Sequence, residues 1–166
     1  MGSTPNPNWP RWTWASIIKH LASSVFTPNS IPFIAEGVDE RTDDFMRENN
    51  RAEIRMNGPQ TRELSADYWR LWVDINVLVI SYMDGQLDNA YTLETNLGLV
   101  LEAMDTVIPI NRLGDGPSDD GNLLGCLSPR IGDNDSLRII QFGQIHKTDR
   151  IKEGVVDGRY KMYLST

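Results

Sequence analysis

The chain has 166 residues, 40% of them hydrophobic and 23% charged, which fits one soluble domain with a real core and excludes a disordered or fibrous polymer. Sixteen Lys and Arg against 23 Asp and Glu leave a formal net charge of -7, the wrong sign for tight phosphate binding, which needs clustered cations. The single cysteine, Cys126, forbids an internal disulfide.

Pro5, Pro7 and Pro10 punctuate the start of the chain, so residues 1–12 read as an extended arm ahead of a single domain over 13–166. Trp9 sits oddly in a solvated tail, and its ring is expected to bury itself on this subunit or on a neighbour. No basic start followed by an apolar run marks a secretory leader. From about Thr13, a plausible N-cap, to Val25, the residues Trp14, Ile17, Ile18, Leu21, Ala22 and Val25 form one helical stripe, with Lys19, a solvated His20 and Ser23 on the other face.

A short strand over Ile31–Ala35 and a charged loop over Glu36–Asp44 come next. Ala52–Met56 alternates as a half-buried strand does, and Asn57-Gly58-Pro59 is expected to break it. The strongest strand covers Tyr68–Met83. There Leu71, Val73, Ile75, Val77 and Val79 point one way and Arg70, Trp72, Asp74, Asn76, Leu78 and Ile80 the other. One face is core, and the mixed face is partly covered. The longest apolar run, Leu71–Tyr82, is interrupted by Asp74 and Asn76 and is too short for a membrane-spanning helix, so no membrane partner is expected.

A second amphipathic helix is expected over Asn89–Met104, striped by Ala90, Leu93, Leu97, Val100, Leu101 and Met104. Then come a short strand at Val107–Ile110, a Gly/Asp loop at Gly114–Gly121, and strands at Leu137–Ile145 and Tyr160–Leu164. Asp157-Gly158 carries a hairpin-turn signature between the last two. Cys126, among Leu123, Leu124, Gly125 and Leu127, reads as a small buried residue. The fold class is α+β: an antiparallel or mixed sheet with a long β-ribbon and two amphipathic helices packed on one face. Its expected core includes Ile17, Leu21, Val73, Ile75, Val77, Leu97 and Leu101.

Chemistry is sparse. There is no nucleophile elbow, phosphate-binding loop, zinc-protease helix or paired-cysteine motif. His20 and His146 lie on different elements, so a histidine-rich metal site is not expected. Asp115, Asp119, Asp120, Asp133 and Asp135 offer oxygen ligands without the spacing of a calcium loop, and turn chemistry accounts for them better. Asp39-Glu40 and Asp43-Asp44 lie among charges with no apolar neighbours to shift a pKa. The expectation is a non-enzyme with no catalytic residue, no metal and no cofactor.

The tryptophans point instead to assembly. Trp9, on the arm, and Trp72, flanked by Arg70, Asp74 and Asn76 on the mixed face, are the interface candidates, since Trp and Arg are enriched where proteins meet.

The runs Ala52–Pro59, Glu63-Leu64-Ser65, Trp72–Val79 and Gly116–Leu127 resemble proteins of the phage tail and neck, most nearly the tail terminators of long-tailed, non-contractile phages. That resemblance implies an α+β subunit of the virion, assembled in the host cytoplasm into a ring, a hexamer in that family. The ring caps the head-proximal end of the tail tube, stops its polymerisation and meets the neck and head-completion proteins, with viral DNA only as passing cargo. The Pro/Trp-rich arm matches no motif of that family. Another neck or minor tail component is the nearest alternative, and a divalent-metal hydrolase the contrasting one.

Overall fold

The computed structural model describes residues 6–65, 68–83, 91–114, 116, 120–129, 137–144 and 150–165. In chain order the elements are α1 (Trp9–Leu21), prolonged by a π-helical turn (Ala22–Phe26), β1 (Phe33–Ala35), α2 (Asp43–Arg47), β2 (Asn50–Ser65), β3 (Tyr68–Tyr82), α3 (Thr92–Met104), β4 (Ile108–Asn111), β5 (Leu123–Pro129), β6 (Leu137–Gln144) and β7 (Ile151–Ser165). The fold is mixed α+β. Its seven strands run β1-β2-β3-β7-β5-β4, with β6 also paired to β7. Among the described strand pairs only β1–β2 is parallel.

Strict alternation in β3 sets the two sides of this sheet. Leu71, Val73, Ile75, Val77 and Val79 are buried on the inner side, while Arg70, Trp72, Asp74, Asn76 and Leu78 are half-buried on the outer one. β3 pairs with β7 without a register shift from Tyr68↔Ser165 to Tyr82↔Ile151. The inner residues of β7, including Val156, Tyr160 and Met162, therefore join the same cluster.

α1 and α3 close that cluster. Ile17, Leu21, Val73, Ile75, Val77 and Leu97 are buried in it, and Leu101 packs half-buried against it. α3 comes close to β7 where a side chain at Gly154 would begin 2.6 Å from the Leu97 Cδ1. The Tyr160 hydroxyl donates to the Met104 carbonyl at the end of α3, and burial, aided by Asp105, raises the pKa of its phenol. At the start of α3, Glu94 accepts from Gln141 (2.7 Å) and lies 3.6 Å from Lys152. Desolvation raises the pKa of Glu94, but the hydrogen bonds and Lys152 outweigh it, so the net shift is downward.

Several local expectations change. The helix starts at Trp9 rather than Thr13, because Pro10 falls in the first turn, where its missing N–H costs nothing. The extended arm therefore stops short of residue 12. Its buried positions are Trp12, Thr13, Ser16, Ile17 and Leu21 rather than the expected stripe. Thr13 is thus interior rather than a cap, and Trp14 is half-buried, donating from Nε1 to the Gly58 carbonyl at 2.7 Å. Ser16 exchanges hydrogen bonds with the Asn111 backbone on β4. His20 is no bystander: its Nε2 donates to the Ala103 carbonyl (3.1 Å), tying α1 to the end of α3.

Among the strands, Asn57-Gly58-Pro59 does not end β2. It makes a bulge between Asn57 and Gln60, and the strand continues to Ser65. Gly58 has φ +109, and a Cβ there would meet the Trp72 carbonyl at 3.1 Å. Asp157-Gly158 is no turn either. Gly158 is buried in mid-strand opposite Ile75, and Asp157 faces outward to a cross-strand Arg138 (2.8 Å). Cys126 is exposed, because the alternation of β5 gives the inward position to Leu127. Part of the charged loop forms α2, whose Phe45 N–H is capped by the Thr42 Oγ1. The expected helical residues 89 and 90 lie outside the described residues. No helix among the described residues is long and apolar enough to cross a membrane.

The contact between Leu97 and Gly154 yields a coupled prediction. Leu97→Ala lowers stability by ~2–5 kcal/mol, as core truncations do, and Gly154→Ala by ~1–3 kcal/mol through overpacking. Because the added methyl occupies the space Leu97 vacates, the double variant loses less than the sum. Denaturant titration of the four proteins checks this, and simple additivity would mean that the two residues do not touch.

Glu94 gives a pH expectation. With its pKa depressed in the folded state, its stabilising contribution is fully present above the ordinary glutamate range. It is lost as the pH falls through the depressed value. Melting temperatures between neutral and acid pH should therefore fall less in Glu94→Gln than in the parent.

Candidate functional site

The outer face of the sheet changes character along its length, and the sequence pattern of β3 is the cause. At the far end its residues are apolar, and the segment between β1 and β2 covers them. Ile34, Phe45 and Ile80 are buried there, outside the main core. Glu53 points to this side opposite Leu78 and is only 3% exposed. Its carboxylate is held by Arg41 (2.7 Å) and Arg55 (3.0 Å). A buried carboxylate needs such partners, since desolvating a lone charge is costly.

At the near end nothing among the described residues covers the face. Arg70, Trp72, Asp74 and Asn76 are brought together there along one side of β3. The guanidinium of Arg70 lies 5.4 Å from the Trp72 ring centroid, a stacking that fixes both side chains. Asp74 is already engaged within the chain. Arg159, its register partner on β7, donates to it at 2.6 and 3.2 Å. Arg70, Trp72, Arg159 and Lys161 line an open hollow of about 230 Å³.

Trp9 belongs elsewhere. It is half-buried against the core cluster and meets Trp12 edge-on, with centroids 6.0 Å apart. Arg112 covers the Trp12 ring at 5.7 Å. The ring thus buries itself on its own subunit, one of the two fates the sequence left open.

Sequence reasoning missed the contribution of β7. Arg159, Lys161 and Tyr163 stand opposite Asp74, Trp72 and Arg70, on the same face by cross-strand geometry. The signal was their spacing of two residues, masked by reading Asp157-Gly158 as a turn. β2 adds Arg62, in register with Arg70. Tyr68 and Tyr163, 55% and 58% exposed, complete an aromatic and cationic surface.

This end of the sheet is also unpaired at its sides. β1 accompanies β2 only over Ala52–Ile54, and β5 accompanies β7 only at Tyr160 and Lys161. Beyond these points β2, β3 and β7 form a three-stranded ribbon with free edges among the described residues. Free edges accept further strands, and the bulge at Gly58 interrupts the one on β2.

The acidic loop behaves as a turn where it is described. Asp120 accepts from the Asn122 backbone (3.0 Å) and side chain (2.6 Å) and from Arg112 (3.3 Å). The Asn122 backbone N–H does most to lower its pKa, against a desolvation that raises it. Asp115, Asp119, Asp133 and Asp135 lie outside the described residues, as does His146. Among the described residues no His, Cys, Asp and Glu gather into a metal-binding group. Asp43 and Asp44 open α2, where a helix N-terminus favours acids. Comparison of the sequence with protein-family models and with curated proteins returns no match.

Two ion pairs of different burial give contrasting expectations. Asp74→Asn disrupts an exposed pair and costs under ~1 kcal/mol. Arg41→Ala combined with Arg55→Ala strands the Glu53 carboxylate and costs about 3 kcal/mol, near the lower end for breaking a buried pair. Chemical denaturation separates them, and equal losses would contradict the burial difference.

Proposed function

We propose that this chain is a structural subunit of a phage virion. It assembles into a ring on the head-proximal end of the tail tube, ends tube growth there and presents a surface to the neck. The observation that carries this reading is the outer face of the three-stranded ribbon, whose edges are free among the described residues and whose half-buried Trp72 is stacked by Arg70. Free edges beside an uncovered aromatic and cationic face suit a ring subunit, which needs a patch that meets a different patch on the next copy. The resemblance of 52–59, 63–65, 72–79 and 116–127 to tail proteins supports the same role. A net charge of -7 suits a lumen past which DNA slides without sticking.

Negative-stain electron microscopy and light scattering with purified phage tail tubes test the proposal. Rings are expected at one end of each tube, with elongation halted. Trp72→Ala should weaken the rings at least tenfold while shifting the monomer's melting temperature little, since the residue is half-buried. Chains that stay monomeric at every concentration and ignore the tubes would overturn the assignment.

A further inference from the structure

We infer that the open end of the outer sheet face docks on the acidic segment 36–48 of a second copy of this chain. This inference rests on the ring reading and names the two patches that would meet.

The first observation is an unrelieved charge. Arg62 and Arg70 stand directly opposite each other on β2 and β3, and like charges in that relation repel. Lys161 is the next cation on the face, opposite Trp72. Neither Arg62, Arg70 nor Lys161 forms an ion pair among the described residues. The acid at this end, Asp74, is taken by Arg159. A chain of net charge -7 therefore keeps a local excess of positive charge with exposed Tyr68 and Tyr163 beside it. An anionic occupant relieves the repulsion, and the rings offer apolar area for it to cover.

The second observation supplies that occupant. Glu40, Asp43, Asp44 and Glu48 are exposed at the other end of the same face. Of the two cations in this segment, Arg41 is directed inward to Glu53 at 2.7 Å and Arg47 ends α2, so the six acids of 36–48 leave it net negative. From Arg70 to Ile80 the strand climbs about 33 Å at ~3.3 Å per residue. The two patches of one molecule cannot touch, so their complementarity is satisfied only between copies. Single-stranded nucleic acid also suits cations interleaved with aromatics. It is disfavoured because the rest of this acidic surface repels phosphates.

A charge exchange tests the contact. Arg70→Glu with Lys161→Glu makes both patches negative. Glu40→Lys with Asp43→Lys and Asp44→Lys turns the acidic segment net positive, so both patches are positive. Each variant alone should associate more than tenfold more weakly than the parent in analytical ultracentrifugation, and their equimolar mixture should regain assembly. Thermal melts establish that both variants fold, and the milder pair Arg70→Gln with Lys161→Gln replaces the first if it does not. Parent rings that persist in both variants would overturn this inference and leave the ring reading standing. A parent that never associates, with or without tail tubes, would overturn both. Loss in the first variant without rescue by the second would also overturn it. If an oligodeoxythymidylate then binds the parent and the second variant but not the first, the occupant is nucleic acid.

Discussion

The unbroken antiparallel ladder between β3 and β7 is the constraint from which the rest of this structure follows. Fifteen residues of β3 pair in one register, so a slip by one position would exchange the core face for the solvent face along the whole length. The register is held because Leu71, Val73, Ile75, Val77 and Val79 have nowhere else to be buried. It then dictates that Gly154 lies under α3 and that Tyr160 reaches the last turn of that helix. Both helices are seated by side chains whose positions the ladder has already decided.

The same ladder divides the outer face into a covered half and an open half. Where β3 turns apolar, at Leu78 and Ile80, the chain brings its own cover, with Phe45 buried and Arg41 closing over Glu53. Where β3 is polar and aromatic, at Arg70, Trp72 and Asp74, no described segment approaches. Burial of apolar surface drives folding, and folding leaves this half of the face uncovered among the described residues. Its half-buried tryptophan and the strand edges free among the described residues suit the proposed contact with a second subunit, and the hollow between its side chains is open and cationic.

Periodicity made the α+β class, β3, the second helix and most of the core legible in the sequence, because those segments have one face to bury and say so at fixed spacing. Punctuation was less legible. Pro10 reads as the end of an arm but serves in the first turn of α1, where proline is at home. Gly58-Pro59 and Asp157-Gly158 read as breaks but lie inside strands, one as a bulge and one because its glycine is buried in mid-strand. Local turn chemistry yielded there to the tertiary demand of the ladder. The candidate surface was half visible for the same reason. Its β3 side could be read from alternation, whereas its β7 side required knowing that β7 is continuous. His20 and Ser16 gave no signal, since their partners are backbone atoms that only tertiary packing brings near.

The pairing of β3 with β7 joins residues about 70 to 100 positions apart, and loops of that length close slowly because ordering the chain precedes the contacts that reward it. During synthesis β3 emerges well before its partner, and until then one whole edge of the most apolar strand is unpaired. That interval is the point at which the chain is most exposed to misassociation. It also sets a timing. Lys161 and Tyr163 reach the outer face only when the ladder closes, so the aromatic and cationic surface does not exist on an unfinished subunit. The act that completes the core is the same act that assembles the face proposed for docking.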